Sequence, residues 1–127
     1  MKEERKGMLL VISGPSGTGK GTICERLLAD DPTLTFSVSA TTRYRRETEI
    51  DGVHYHFLTD AQYDELLAQD AFLEHATVHG HRYGTLKKQV EELMEKGLSV
   101  VLDIDPQGAK EVMRQRPDCV SIFILPP

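Results

Sequence analysis

The sequence predicts an α/β fold in which a parallel sheet lies between layers of helix and a small α+β segment is inserted. Three observations predict it. The apolar run Met8–Ile12 passes through a glycine-rich turn into an amphipathic continuation marked by Ile23, Leu27 and Leu28, the order strand, loop, helix. Residues 86–125 repeat strand–helix alternation, the connection a parallel sheet needs. Between these stretches, residues 35–84 carry short strands and one helix. The expected division is therefore residues 1–34 with 86–127 as the core and residues 35–85 as the insertion.

Taken in order, Met8–Ser13 reads as a buried central strand because its apolar run is nearly unbroken. The next helix is expected to end near Asp30, where Asp31-Pro32 closes it. Thr35–Ser39 alternates Phe36 and Val38 with polar residues and reads as a strand; polar Ala40–Gly52 reads as a loop. Val53–Leu58 is a second short strand, with Tyr55 and Phe57 on one face and His54 and His56 on the other. Thr59 and Gln62 have capping-box spacing, so a helix should run to about Gln69. Phe72–Val78 and Arg82–Tyr83 flank His79-Gly80-His81 as a hairpin. Leu86, Val90, Leu93 and Met94 form one apolar stripe that Gly97 ends. Ser99–Ile104 is an apolar strand, Asp105-Pro106 starts a helix, and Val120–Leu125 is a third buried-type strand.

Composition narrows the function. The 127 residues suit one domain, and 39% apolar with 28% charged residues describes a globule with a core. A net charge of −5 argues against a general nucleic-acid binder, which needs a basic face. Cys24 and Cys119 match no paired spacing, sit among apolar residues and read as two buried free thiols of a reducing compartment. The apolar run after Lys2, Arg5 and Lys6 is too short for a membrane or signal segment, so the expected location is the cytoplasm, with no membrane partner. His54/His56 and His79/His81 are close pairs without metal-site spacing and read as exposed histidines.

The chemistry starts at Gly14-Pro15-Ser16-Gly17-Thr18-Gly19-Lys20-Gly21-Thr22, which fits the phosphate-binding pattern G-x-x-x-x-G-K. The glycines let successive backbone N–H groups converge on one anion, the following helix adds its positive end, and Lys20 supplies a mobile charge. The place that usually holds a magnesium-binding hydroxyl is Gly21, which leaves Thr22 as the candidate. Asp103 ends an apolar strand, where such proteins keep an acid near Mg²⁺ and its waters. Asp105 reads equally as the cap of the helix at Pro106.

A second constellation lies in the insertion: Ser37-Val38-Ser39-Ala40-Thr41-Thr42-Arg43-x-x-Arg46, Gly52-x-x-Tyr55-x-Phe57, Phe72-Leu73-Glu74 and Tyr83-Gly84-Thr85, with Leu102-Asp103-Ile104-Asp105 after it. Taken singly, the paired arginines read as a solvated face and Glu74 as a surface acid on a half-buried strand. Together with the glycine-rich loop, in this order, the motifs resemble the guanylate kinase family from Met8 to Pro127. The resemblance implies a three-layer P-loop kinase core with a GMP-binding insertion, and transfer of a phosphoryl group from ATP to GMP with Mg²⁺. It implies ATP on Gly14–Thr22; Arg43, Arg46, Tyr55 and Tyr83 on the GMP phosphate; and Glu74, Ser39, Thr85 and Asp105 around guanine. Lys20, Arg43 and Arg46 would then be the catalytic cations. Arg43 and Arg46 can clamp a dianion with planar forks. Glu74 can accept both the N1–H and the exocyclic amine of guanine, whereas adenine would leave it unpaired.

The chain departs from the family at Arg45, where an uncharged residue is usual, and at Thr48-Glu49, where Gly-Glu is usual. The resemblance also implies a lid and a last strand that residues 1–127 do not include, so the expectation is a truncated, poorly active form. Val120–Leu125 would then be an apolar edge open to self-association. The alternative is a related interaction module without catalysis; such modules typically lose the loop glycines or lysine, which are intact here.

Overall fold

The structure is a computed structural model and describes residues 7–15 and 20–125. It divides into two compact units, Met1–Ser37 with Gln89–Pro127, and Val38–Lys88.

In the first unit the strands β1 (Leu9–Ser13), β2 (Leu34–Phe36), β7 (Ser99–Asp103) and β8 (Val120–Phe123) form a parallel sheet in the order β2-β7-β1-β8. The helices are α1 (Lys20–Asp30), α3 (Lys87–Glu95), most of which lies in this unit, and α4 (Pro106–Gln115). The crossover from β1 to β2 runs one way across the sheet and that from β7 to β8 the other. Right-handed connection therefore puts α1 and α4 on opposite faces. On the α1 face, Ile12, Cys24 and Val101 form a buried cluster with Leu10, Leu27, Leu34 and Ile124 against it. On the other face α4 packs on β1, with Val90 and Met94 of α3 and Ala109 and Val112 of α4 buried. Glu91 of α3 pairs with Arg116 at the end of α4.

Local chemistry sets the helix ends. Asp105 caps α4, its Oδ1 accepting the Gly108 amide at 2.6 Å with Pro106 in the first turn. After α3 the Gly97 and Leu98 amides donate to the Met94 and Leu93 carbonyls at 3.0 and 3.2 Å, closing the helix.

The second unit holds β3 (Ala40–Thr41), β4 (His56–Phe57), α2 (Asp60–Ala68), β5 (Phe72–Val78) and β6 (His81–Leu86), with sheet order β4-β3-β6-β5. The capping box at Thr59 and Gln62 is complete. Ala40, Tyr63 and Phe72 form its core, with Leu58, Leu66, Leu67 and Leu86 packed on them.

Five expectations need correction. Ala40–Thr41, expected inside a loop, is β3, because its backbone pairs with β4 on one side and β6 on the other. Cys119, expected buried, is half-buried in the turn between α4 and β8. The strand expected at Thr35–Ser39 is Leu34–Phe36, and it pairs with β7 in the parallel sheet instead of joining the short strands; Leu34 packs into the α1-face core, a non-local contact that alternation cannot reveal. The strand expected at Val53–Leu58 shrinks to two residues. Local bonds take its backbone: the Gly52 amide donates to the Tyr55 carbonyl at 2.7 Å and the Ile50 amide to His54 Nδ1 at 2.9 Å. Val120–Phe123 is an exposed strand, not a buried one, because it is the edge of the described sheet, with Ile122 at 41% and Phe123 at 50% exposure.

Candidate functional site

The Val38–Lys88 unit carries a face built by β-register. Between β5 and β6, Phe72 pairs with Leu86 but Glu74 pairs with Thr85, so Leu73 is an extra residue. This bulge breaks the alternation. Phe72 turns into the α2 core while Glu74 joins Thr85 on the opposite face. There both are buried, and the Thr85 hydroxyl donates to Glu74 Oε1 at 2.8 Å. The Phe72 ring packs directly over Gly84, where a Cβ would meet it at 2.5 Å. Tyr83 stands two residues from Thr85 and so shares its face, about 7 Å along the strand. Ser39 immediately precedes β3, whose Ala40 pairs with Gly84.

Beside Tyr83 the structure gathers a cationic and aromatic cluster. The Tyr55 ring lies 6.0 Å from that of Tyr83 and 5.7 Å from that of Phe57, both edge-on. The Arg43 guanidinium sits 5.3 Å from the Tyr55 ring centre and 5.9 Å from that of Phe57. Glu49 holds it end-on, with Nη1 to Oε1 at 3.0 Å and Nη2 to Oε2 at 2.8 Å. This pairing, with the Tyr83 hydroxyl adding to it, keeps Arg43 above the ordinary arginine range and draws the Glu49 carboxyl down to about 2.

Glu49 does more than pair with one arginine. Its Oε1 also accepts the Arg46 amide at 2.8 Å, and its own amide donates to the Arg46 carbonyl at 3.0 Å, closing a tight turn. The Arg46 side chain is exposed. Arg45 folds back over the loop and donates to the Glu49 carbonyl at 2.7 Å. Thr48 keeps a negative φ, so the loop closes without the usual glycine. Sequence reading missed Glu49 as an organiser; an acid six residues after a loop arginine was the available signal. A groove of about 480 Å³ is lined by Thr42, Arg43, Phe57 and Thr59 among others, and takes in none of Tyr55, Glu74, Tyr83 or Thr85.

α2 and the hairpin support this face. Tyr63, fully buried in α2, donates its hydroxyl to the Tyr83 carbonyl at 2.7 Å. Arg82 stacks 4.1 Å from the Tyr63 ring and bonds Asp64 at 2.6 Å.

The other unit carries the glycine-rich stretch. Gly14 and Pro15 follow β1, and Lys20, Gly21 and Thr22 open α1, with Gly21 and Thr22 exposed. Gly14 has φ 154°, and a Cβ there would meet the Ile124 carbonyl at 2.6 Å, so only glycine fits. Ser16, Gly17, Thr18, Gly19 and the Lys20 side chain lie outside the described residues. Asp103 ends β7 directly opposite Ile12 of β1, at the carboxyl edge where the glycine stretch begins. Asp105 is committed through one oxygen to the α4 cap. Among the described residues no three histidine, cysteine or acidic side chains gather as a metal cluster, and no helix is long and apolar enough to cross a membrane.

The chain is similar to known proteins over nearly its full length. The family model described as guanylate kinase matches residues 6–127. Guanylate kinase of Carboxydothermus hydrogenoformans is 52% identical over 122 residues, which cover 96% of this chain and 60% of that protein. The Clostridium perfringens guanylate kinase is 53% identical over 125 residues, covering 98% of this chain and 58% of the relative. The chain thus spans about 60% of the length of these relatives. The crystal structure of guanylate kinase from Anaplasma phagocytophilum superposes with a TM-score of 0.74 at 38% identity, over 96% of this chain and 61% of that one. On motif order, fold and similarity together, the chain belongs to the guanylate kinase family.

Proposed function

We propose that this chain carries the GMP site and the ATP-phosphate site of an enzyme that transfers the terminal phosphoryl group of ATP to GMP, giving ADP and GDP. One observation carries the reading. A buried carboxylate, Glu74, and a cation–tyrosine cluster, Arg43 with Tyr55 and Tyr83, occupy neighbouring positions on one sheet face. A nucleoside monophosphate with donors on its base edge and a dianion at its other end fits that pairing. The family's name for its relatives points to the same substrate.

In this reading Glu74 accepts the guanine N1–H and amine, with the Thr85 hydroxyl fixing its rotamer and Ser39 nearby for O6. Arg43, Arg46, Tyr55 and Tyr83 bind the phosphate and orient its attacking oxygen. The backbone after Gly14 and the Lys20 amine hold the ATP phosphates and offset charge on the moving group. Mg²⁺ fits the residues present. A small hard cation bound mostly by phosphates and water needs few protein oxygens, and Asp103 at the carboxyl edge of the sheet and Thr22 in the first turn of α1 would offer them. Bound there with ATP, it would neutralise phosphate charge. A reducing cytoplasm, where both nucleotides are present, suits the free thiols Cys24 and Cys119.

The test is a coupled assay of nucleotide-dependent ADP production with GMP, AMP and UMP. GMP should be the preferred acceptor, and Glu74→Ala should lower kcat/KM for GMP by about 100-fold or more while the preference over AMP collapses. A Glu74→Ala protein that retains full GMP preference would sink the guanine assignment. Titration with ATP that shows no specific affinity would favour the interaction-module reading.

A further inference from the structure

We propose that Glu49 is a positioning residue for the phosphate clamp: it holds one end of the Arg43 guanidinium so that the other edge is presented to an anion, and it fixes where Arg46 leaves the loop. The inference rests on the GMP reading above and names how that site is built.

An arginine side chain carries five N–H hydrogens in a fixed fork. Arg43 Nη1 uses its two on the Tyr44 carbonyl and Glu49 Oε1, both at 3.0 Å, and Nη2 uses one on Glu49 Oε2 at 2.8 Å. The hydrogens that these three bonds leave are those of Nε and the second of Nη2, and the Tyr83 hydroxyl also bonds this guanidinium. Those two hydrogens lie side by side on one edge, the geometry that matches two phosphate oxygens. Without the end-on carboxylate the guanidinium would turn about its flexible stem and present that edge in many directions. The pair is shielded, with both side chains only 13% exposed, unlike an ordinary surface ion pair. The same Oε1 accepts the Arg46 amide at 2.8 Å, so one carboxylate sets the relative placement of both arginines.

The charge of Glu49 works against this role, and that makes the proposal testable by sign. A carboxylate beside an anion site repels the incoming phosphate. If charge alone mattered, Glu49→Gln would tighten GMP. If positioning dominates, the same variant weakens it.

Calorimetric titration of wild type and Glu49→Gln with GMP and with guanosine decides between them. The expected result is about a tenfold loss of GMP affinity, the scale of one charge-assisted hydrogen bond. Guanosine, which lacks the phosphate, should bind the variant within about twofold of wild type, because in this reading Glu49 acts on the phosphate end and not on the base. Glu49→Asp keeps the charge, shortens the reach and should show the same phosphate-selective loss to a smaller degree. Unchanged or tighter GMP binding in Glu49→Gln, or an equal loss for both ligands, overturns the positioning role. A wild type that binds GMP no better than guanosine overturns the clamp itself, a different failure.

Discussion

A carboxylate that holds its proton less readily when folded than when unfolded contributes to stability only while it is charged. The Glu49 carboxyl is drawn from an ordinary 4.5 to about 2, first by the Arg43 side chain and then by the Arg46 amide. Its contribution is therefore complete above about pH 4.5 and disappears as the pH falls toward 2. Glutamine at this position cannot titrate, and other acids act equally in both proteins. Urea-unfolding midpoints measured from pH 6 downward should therefore converge for wild type and Glu49→Gln, with the wild-type advantage lost between about 4.5 and 2. Parallel curves across that window would show that the pair is not formed in solution. At this scale Glu74 differs: it is buried and accepts a hydrogen bond from a neutral donor, the Thr85 hydroxyl, at 2.8 Å.

Elements decide where those side chains point. α2 grips the β6 backbone through one phenol, the Tyr63 hydroxyl donating to the Tyr83 carbonyl at 2.7 Å, beside the contacts that Arg82 makes with Tyr63 and Asp64. Tyr63→Phe keeps the ring packed on Phe72, 4.7 Å centre to centre, and removes only that donor. The expected cost is about 1 kcal/mol in chemical unfolding, with a measurable rise in KM for GMP because Tyr83 is less firmly held. A stability loss with KM unmoved would mean that the strand, not the phenol, fixes Tyr83. Much of this element layer was legible in the chain. The Thr59/Gln62 box, the Asp105-Pro106 cap and the hairpin around Gly80 are local signals that one segment carries alone. The bulge at Leu73 was not legible, because one extra residue shifts a period-two pattern without altering any residue's polarity. The sheet membership of Leu34–Phe36 was not legible either, since it depends on β7 more than sixty residues later. For the site, resemblance singled out Arg43, Tyr55 and Tyr83, and the fold draws them into contact. Glu49 escaped because a loop acid among four arginines and glutamates reads as a solvated face until its bonds are seen.

At the scale of the whole molecule, the residues assigned to each nucleotide segregate by unit. Ser39, Arg43, Arg46, Tyr55, Glu74, Tyr83 and Thr85 all fall within Val38–Lys88, while Gly14, Lys20, Thr22 and Asp103 fall within the other. Asp105 is the exception, proposed for the guanine amine yet lying in the first unit as the α4 cap. A ligand that binds only the folded form slows the opening of the backbone it touches, so hydrogen exchange reads out this division directly. GMP alone should protect amides of Thr42–Arg46 and Arg82–Thr85 and leave the start of α1 unchanged. ATP with Mg²⁺ should protect Gly14 and the first turn of α1 and leave the hairpin unchanged. The Gly108 amide is the diagnostic for Asp105: its acceptor is already that side chain, at 2.6 Å, so GMP alone should not alter its exchange. Slowing at Gly108 with GMP would bring Asp105 into the base site. Protection by GMP at the glycine-rich stretch, with none at Arg43, would break the assignment of one nucleotide to each unit.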